Sequence, residues 1–288
     1  CDHRYFRIGV AGHLAEQRTL TNTGPGENAQ PLAAANGQQT VDRTHTRPQR
    51  LIDRIQYHGQ ARGAFLPAAA YRLVRQVEGR GVYSFCMCPG GYIVPAATSD
   101  DALVVNGMSF AKRNSAYANA GMVVETRLTD IPGLKSGNPL AGLDHQLTLE
   151  QTAFRNGASG LVAPAQRLVD FVNGRPSKSL PACSYPPGVV ASPLHEWLPE
   201  PIRRRLQLAF KAFGHQMKGF LTNDAVVVGV ESRTSSPVRI PRDPQTLQHV
   251  ALHGLYPCGE GAGYAGGIVS CAVDGERAAA AVASYLNA

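Results

Sequence analysis

The stretch from Gly254 to Ile268 restricts the fold of this chain more than any other. It carries six glycines, at 254, 259, 261, 263, 266 and 267, and runs straight into Val-Ser-Cys-Ala-Val-Asp-Gly-Glu-Arg-Ala. It reads as a short buried strand, a glycine-rich turn and then a helix. Glycine lets a backbone approach a phosphate closely and leaves N–H groups pointing at it. In the helix, Ile268, Ala272, Ala279, Val282 and Leu286 fall on one face, with Glu276 and Arg277 off it.

Gly261, Gly263 and Gly266 also spell G-x-G-x-x-G. A dinucleotide fingerprint needs more: a second strand and an acid about 20 residues further on. The chain ends at Ala288, so the stretch is not read as the first βαβ unit of such a domain. On local pattern two readings stay open. One is the last strand and helix of a nucleotide-binding domain, with Glu260 at the strand end. The other is an ordinary strand–helix connection.

Composition narrows the classes. The 288 residues suffice for one large or two ordinary domains. Hydrophobic residues make up 43% and charged residues 17%, the balance of a soluble globular chain. No apolar run approaches the ~18 residues of a membrane span. The opening Cys1-Asp-His-Arg-Tyr-Phe-Arg lacks the apolar core of a secretory signal, so the cytoplasm is the expected compartment. A net charge of +7 favours anionic ligands in general. The arginines are scattered, however, without an aromatic stripe, so nucleic acid is not the expected partner. The six cysteines form no pair of C-x-x-C repeats, and the histidines show no ligand spacing, so no metal site is expected.

Along the chain, residues 1–46 show no sustained period and read as irregular or disordered. Leu51, Ile52 and Ile55 mark a short helix. Strand candidates follow at Tyr71–Val77, Val82–Cys88, Tyr92–Ala96, Ala102–Met108 and Ala120–Thr126. The period then turns helical at Leu147–Phe154, Gln166–Val172, Ser192–Leu198 and after Pro201. Strands return at Ala225–Val230 and Val238–Ile240. Strands flanking a β-rich and then α-rich middle suit a sheet domain with an insertion.

Polar residues and glycines gather at Ser84–Gly91, at Asn106–Ser109 with Arg113 and Asn119, at Val230–Val238, and in the opening stretch. Cys86 and Cys88 form C-x-C, which on a strand allows a strained disulfide or shared metal; two buried thiols are the plainer reading. Arg233-Thr-Ser-Ser offers a cation and three hydroxyls for a phosphate or a flavin edge, or a plain polar turn. No catalytic acid or base is assigned.

Together, GRGVYSFCMCPGGYIV, NGMSFAKRNSAYANAGMVV, APAQRLVDFVNGRPS, GVESRTSSPVRIPRD and GLYPCGEGAGYAGGIVSCAVDGERAA are specific. With RPQRLIDRIQY before them, they resemble the C-terminal portion of the bacterial uncharacterised FAD-dependent (NAD(FAD)-utilising) dehydrogenases, distantly similar to HI0933-like flavoproteins. The resemblance covers about residues 47–288. It implies an α/β fold: part of a glutathione-reductase-type FAD-binding domain (47–60 and 222–288) with an inserted β-rich and helical α+β substrate domain (61–221). It implies FAD as cofactor and hydride or electron transfer through flavin N5, to an unknown small molecule. It places Gly259, Glu260, Gly261, Gly266, Gly267 and Ile268 at the ribityl and pyrimidine side of the flavin, and Arg233, Thr234 and Ser235 at its flank. Cys86, Cys88 and Pro89 would come from the insert over the ring. The family's N-terminal G-x-G-x-x-G unit has no counterpart upstream of Arg47, so the chain is expected to be a fragment that binds FAD weakly or not at all. A truncated non-catalytic fragment and a basic anion- or RNA-binding domain are the alternatives. Use of NAD(P)H and oligomeric state are not legible.

Overall fold

The computed structural model describes residues 5–14, 73–88, 90–97, 99–113, 115–131, 138–158 and 160–287, with backbone alone for 5–14 and Cys86. These residues form an α+β domain built on one mostly antiparallel sheet. The strands are β1 (Tyr5–Leu14), β2 (Val74–Val77), β3 (Arg80–Cys88), β4 (Gly91–Pro95), β5 (Val105–Ser109), β6 (Ala118–Arg127), β7 (Ala163–Arg167), β8 (Val189–Ala191) and β9 (Val226–Glu231). Seven of them make the main sheet in the order β2-β3-β6-β1-β9-β7-β8, and β4 and β5 pair as a separate hairpin. The helices are α1 (Ala141–Asn156), α2 (Leu168–Asn173), α3 (Leu194–Trp197), α4 (Glu200–Gln216) and α5 (Ile268–Leu286).

The inner strands read as they pack. β6 opens Ala-Asn-Ala-Gly-Met-Val-Val, and all seven of these residues are buried, because β1 and β3 pair on its two edges. β9 is buried along its whole length between β1 and β7. Such runs, apolar on both faces, are the mark of strands covered on both sides. α4 starts with Pro201 in its first turn, where the missing N–H costs nothing. It lays Ile202, Leu206, Ala209, Phe210 and Phe213 into the core at helical spacing. Phe210 meets Phe171 and Phe220 with ring centroids 6.0 and 5.9 Å apart, an edge-on aromatic cluster that anchors α2 and α4 to the sheet. α2 ends at Gly174, whose φ of 63° is the left-handed closing turn that glycine adopts without strain.

Several expectations change. Tyr5–Leu14, inside the stretch read as irregular, forms β1 at the centre of the sheet. The helix expected around Leu51 lies outside the described residues. Gln166–Val172, expected to be one helix, splits into the end of β7 and the start of α2, because Ala165, Gln166 and Arg167 pair with β9. Val238–Ile240 is loop. The strand expected before Glu260 is also absent: residues 250–267 run as bends and turns, and Arg242 with His249 makes an isolated bridge. A strand needs a continuous partner edge, and this segment pairs with none of the described strands. β9, assigned from sequence to the FAD-binding part, pairs in the same sheet as the strands of the insert.

Candidate functional site

The glycine-rich segment is a compact turn fastened to α5. Gly259 and Gly263 take φ of 71° and 81°. The Gly263 N–H donates to Glu260 O at 2.8 Å, and that of Tyr264 to Gly259 O at 3.0 Å. The fastening comes from Asp274, one turn and a half into the helix. Its carboxylate accepts two bonds from the Arg242 guanidinium, at 2.6 and 3.0 Å, and one from the Gly259 N–H at 2.9 Å. Arg242 also donates to Pro257 O at 2.7 Å and stacks 3.6 Å above the Tyr264 ring. Burial pushes the Asp274 carboxyl up, but Arg242 and the Gly259 N–H outweigh it and hold the group below the usual carboxylate range. The turn is closed against the loop after β9: a side chain on Gly263 would come within 2.5 Å of Val238 O.

Beyond the turn, Gly267 is the N-cap of α5. No side chain caps it, and no acid lies in the first turn. The positive end of the helix dipole is therefore not neutralised by the helix's own first turn. Glu260, in the turn before it, is half-buried, and burial raises its pKa. Side chains on Gly259 and Gly261 would meet nothing within 4 Å, so the backbone there faces open space. Ile268 is 87% and Leu286 75% exposed, whereas Asp274 and Ala278 are the buried residues of α5. The apolar face read from the sequence, with Ile268 and Leu286 on it, thus points away from the described domain.

Arg233, Thr234 and Ser235 follow β9. The Arg233 guanidinium is clasped by Glu150 of α1, with bonds of 3.0 and 2.7 Å, and the Ser232 hydroxyl donates to the same carboxylate at 2.6 Å. Thr234 is buried. Ser236 carries the connection onward, its hydroxyl lying 3.4 Å from Gly261 O. The loop after β9 therefore joins the glycine-rich turn directly to the last residue of β9, Glu231.

Glu231 is part of a second polar cluster. The residue is 3% exposed, and among the described residues its Oε2 has no hydrogen-bond partner. Burial pushes its pKa up to about 8. Asn119 of β6, 1% exposed, has neither its amide nitrogen nor its oxygen bonded among the described residues. Cys88 of β3 sits opposite Asn119 in register. Burial pushes the Cys88 thiol up and the Glu231 charge adds to this, while a bond with Ser109 and the Arg113 charge act the other way. Cys88 is in no disulfide. Cys86 belongs to β3, and Pro89 lies outside the described residues. Sequence reading flagged Cys88 and the neighbourhoods of Asn119 and Glu231, but not that the strand order would gather them. The available signal was polar residues inside otherwise apolar strands, Asn119 in Ala-Asn-Ala and Glu231 after Val-Val-Val-Gly-Val. Among the described residues no group of histidine, cysteine and carboxylate side chains could hold a metal ion, and no helix is long and apolar enough to cross a membrane.

Residues 44–234 match the family described as FAD-dependent protein, C-terminal domain-like. The chain belongs to this family. An uncharacterized protein of Clostridium beijerinckii (strain ATCC 51743 / NCIMB 8052) is 42% identical over 236 residues, which cover 81% of this chain and 44% of that protein. The chain thus spans less than half the length of that relative. The family match bears out the expected FAD association at the level of the family and covers Cys86, Cys88, Pro89, Arg233 and Thr234; Ser235 and the glycine-rich segment lie beyond it.

Proposed function

We propose that this chain is the C-terminal part of an FAD-dependent oxidoreductase. It would contribute the isoalloxazine side of a flavin site in a glutathione-reductase-type fold. Membership of an FAD-dependent family carries this reading. Flavin supplies hydride or electron transfer at N5 when bound, with the protein providing position and electrostatics.

The residues present fit one edge of the flavin. Gly266, Gly267 and Ile268 form an uncapped helix start, whose N–H groups would stabilise negative charge at the pyrimidine edge. Gly259 and Gly261 leave their backbone open to a ligand, and Glu260 stands beside them to meet the ribityl hydroxyls. Asp274 and Arg242 keep this turn in register with α5. Arg233, Thr234 and Ser235 flank it; with Glu150 holding Arg233, that side contributes hydroxyls and backbone more than net charge. Cys86, Cys88 and Pro89 would lie on the substrate side. The exposed apolar residues of α5, Ile268 and Val269 among them, would pack against the nucleotide-binding part of the full-length protein.

Flavin titration tests the reading in two arms. The Clostridium relative, refolded with FAD, is expected to retain one visible flavin per chain. This chain alone is expected to bind FAD weakly, since the glycine-rich turn and helix that hold the pyrophosphate in such folds supply much of the affinity. A relative that keeps no flavin overturns the proposal.

A further inference from the structure

The Cys88–Asn119–Glu231 cluster differs from most buried polar groups among the described residues; Arg205, which also has unbonded nitrogens, keeps Asp130 as an ion-pair partner at 3.6 Å. Gln166, also fully buried, donates to Arg175 O and reaches His195 Nδ1, both at 2.7 Å. Glu150 accepts from Ser232 and Arg233. Such satisfaction is the rule for buried polar groups, because an unmade hydrogen bond away from water costs about 1–3 kcal/mol. Among the described residues Asn119 leaves both its polar atoms unmet, and Glu231 leaves one oxygen unmet.

The backbone around them is cut back to make room for those atoms. Asn119 and position 121 lie two apart on β6 and so face the same side. Position 121 is glycine, and a side chain there would collide with Glu231 Oε2. Position 107 on β5 is also glycine, and a side chain there would collide with Asn119 Oδ1 and come within 3.2 Å of Cys88 Sγ. The cluster grades outward: Glu231, Asn119 and Cys88 are buried, Ser109 is half-buried and Arg113 is exposed. Exposure thus rises from the carboxamide and carboxyl through the thiol to Arg113.

Burial is the cause that holds the Glu231 carboxyl protonated at neutral pH. The floor of the cluster is thus uncharged and offers donors and acceptors together: the Asn119 NH₂ and C=O and the Glu231 OH. Among the described residues the cation that acts on the cluster is Arg113, at its exposed rim beside Cys88 rather than at the floor, and an ammonium ion would have to ionise the acid in an apolar surround. We propose that this cluster is a binding site for the uncharged carbonyl or carboxamide group of a small molecule. Asn119 and Glu231 hydrogen-bond its polar atoms, and Cys88 lies against its side. That this molecule is the substrate rests on the flavoenzyme reading; the site itself does not.

The test uses the whole chain without flavin, so that its failure is separate from failure of flavin binding. Cys88 and exposed Cys258 are alkylated in the same sample with iodoacetamide or iodoacetate, and the peptides are quantified by mass spectrometry. Iodoacetamide carries the carboxamide and iodoacetate is its anionic counterpart. The preference for iodoacetamide at Cys88 is expected to exceed that at Cys258 by about fivefold or more, the effect of one net hydrogen bond. Acetamide should protect Cys88 while acetate does not. Asn119→Leu, checked by an unchanged circular dichroism spectrum, should abolish both the preference and the protection. Equal preference at the two cysteines, or protection by acetate as strong as by acetamide, overturns the site. Both results come from the unmutated chain and hold whether or not the variant folds.

Discussion

The carboxyl of Glu231 leaves water on folding without a partner for one oxygen, and this links stability to pH. Its pKa rises from the ordinary 4.5 to about 8. Between those values the unfolded chain has lost the proton and the folded chain keeps it. Stability therefore falls as pH rises through that window, on the order of 1.4 kcal/mol per unit. Glu231→Gln cannot ionise, so its stability relative to the unmutated chain should climb with pH from about 4.5 to about 8 and then level off. Urea unfolding across that range measures it; a difference independent of pH contradicts the assignment. Gly263 gives a second residue-scale test. Its φ of 81° and the 2.5 Å approach to Val238 O leave no place for a methyl group. Gly263→Ala should cost about 1–3 kcal/mol and loosen the turn, seen as faster amide exchange at Tyr264.

At the scale of elements, the Asp274–Arg242 pair decides where the glycine-rich turn sits. Both side chains are under 10% exposed and meet at 2.6 Å. Removing one partner strands the other charge in a dry place, at a cost of about 3–5 kcal/mol. Asp274→Asn should free the segment from Pro257 to Tyr264 to proteolysis while leaving the main sheet intact. The double change Asp274→Asn with Arg242→Leu should recover part of that loss, because it leaves no buried charge behind. Limited proteolysis read by mass spectrometry compares the three chains. In the unmutated protein the turn should also loosen under acid: the Asp274 pKa is depressed, so the stability that it adds is present above the ordinary carboxylate pKa and fades as pH falls through the lower folded value.

For the whole molecule, α5 is the exposed part of the design. Ile268, Val269, Tyr285 and Leu286 present apolar surface where a helix of this length would normally bury a face. The chain alone is expected to bind a hydrophobic dye and to self-associate at high concentration. Replacing Ile268 and Val269 with serine should reduce both without lowering the unfolding midpoint. Light scattering and dye fluorescence check this; unchanged values would show that α5 is not the responsible surface.

How much was legible follows one physical line. Local pattern determines what can be settled within a few residues: the largely apolar runs of β6 and β9, the amphipathic α4 opened by proline, the turn at Gly174, and α5 itself. The motifs of residues 44–234 likewise carry the family without coordinates. Local pattern fails where the outcome depends on a partner distant in sequence. The segment from Gly254 to Glu260 reads as a strand, yet it pairs with none of the described strands. Tyr5–Leu14 looks weak by itself, yet it fits between β6 and β9. α5 has the apolar face expected of it, but only the packing shows that this face points outward. The candidate site divides in the same way. Glycines close in sequence announce the turn, whereas Cys88, Asn119 and Glu231 are brought together by strand order. Hydrogen bonding between strands sets which residues face one another across the sheet, and periodicity within a single strand does not contain that information.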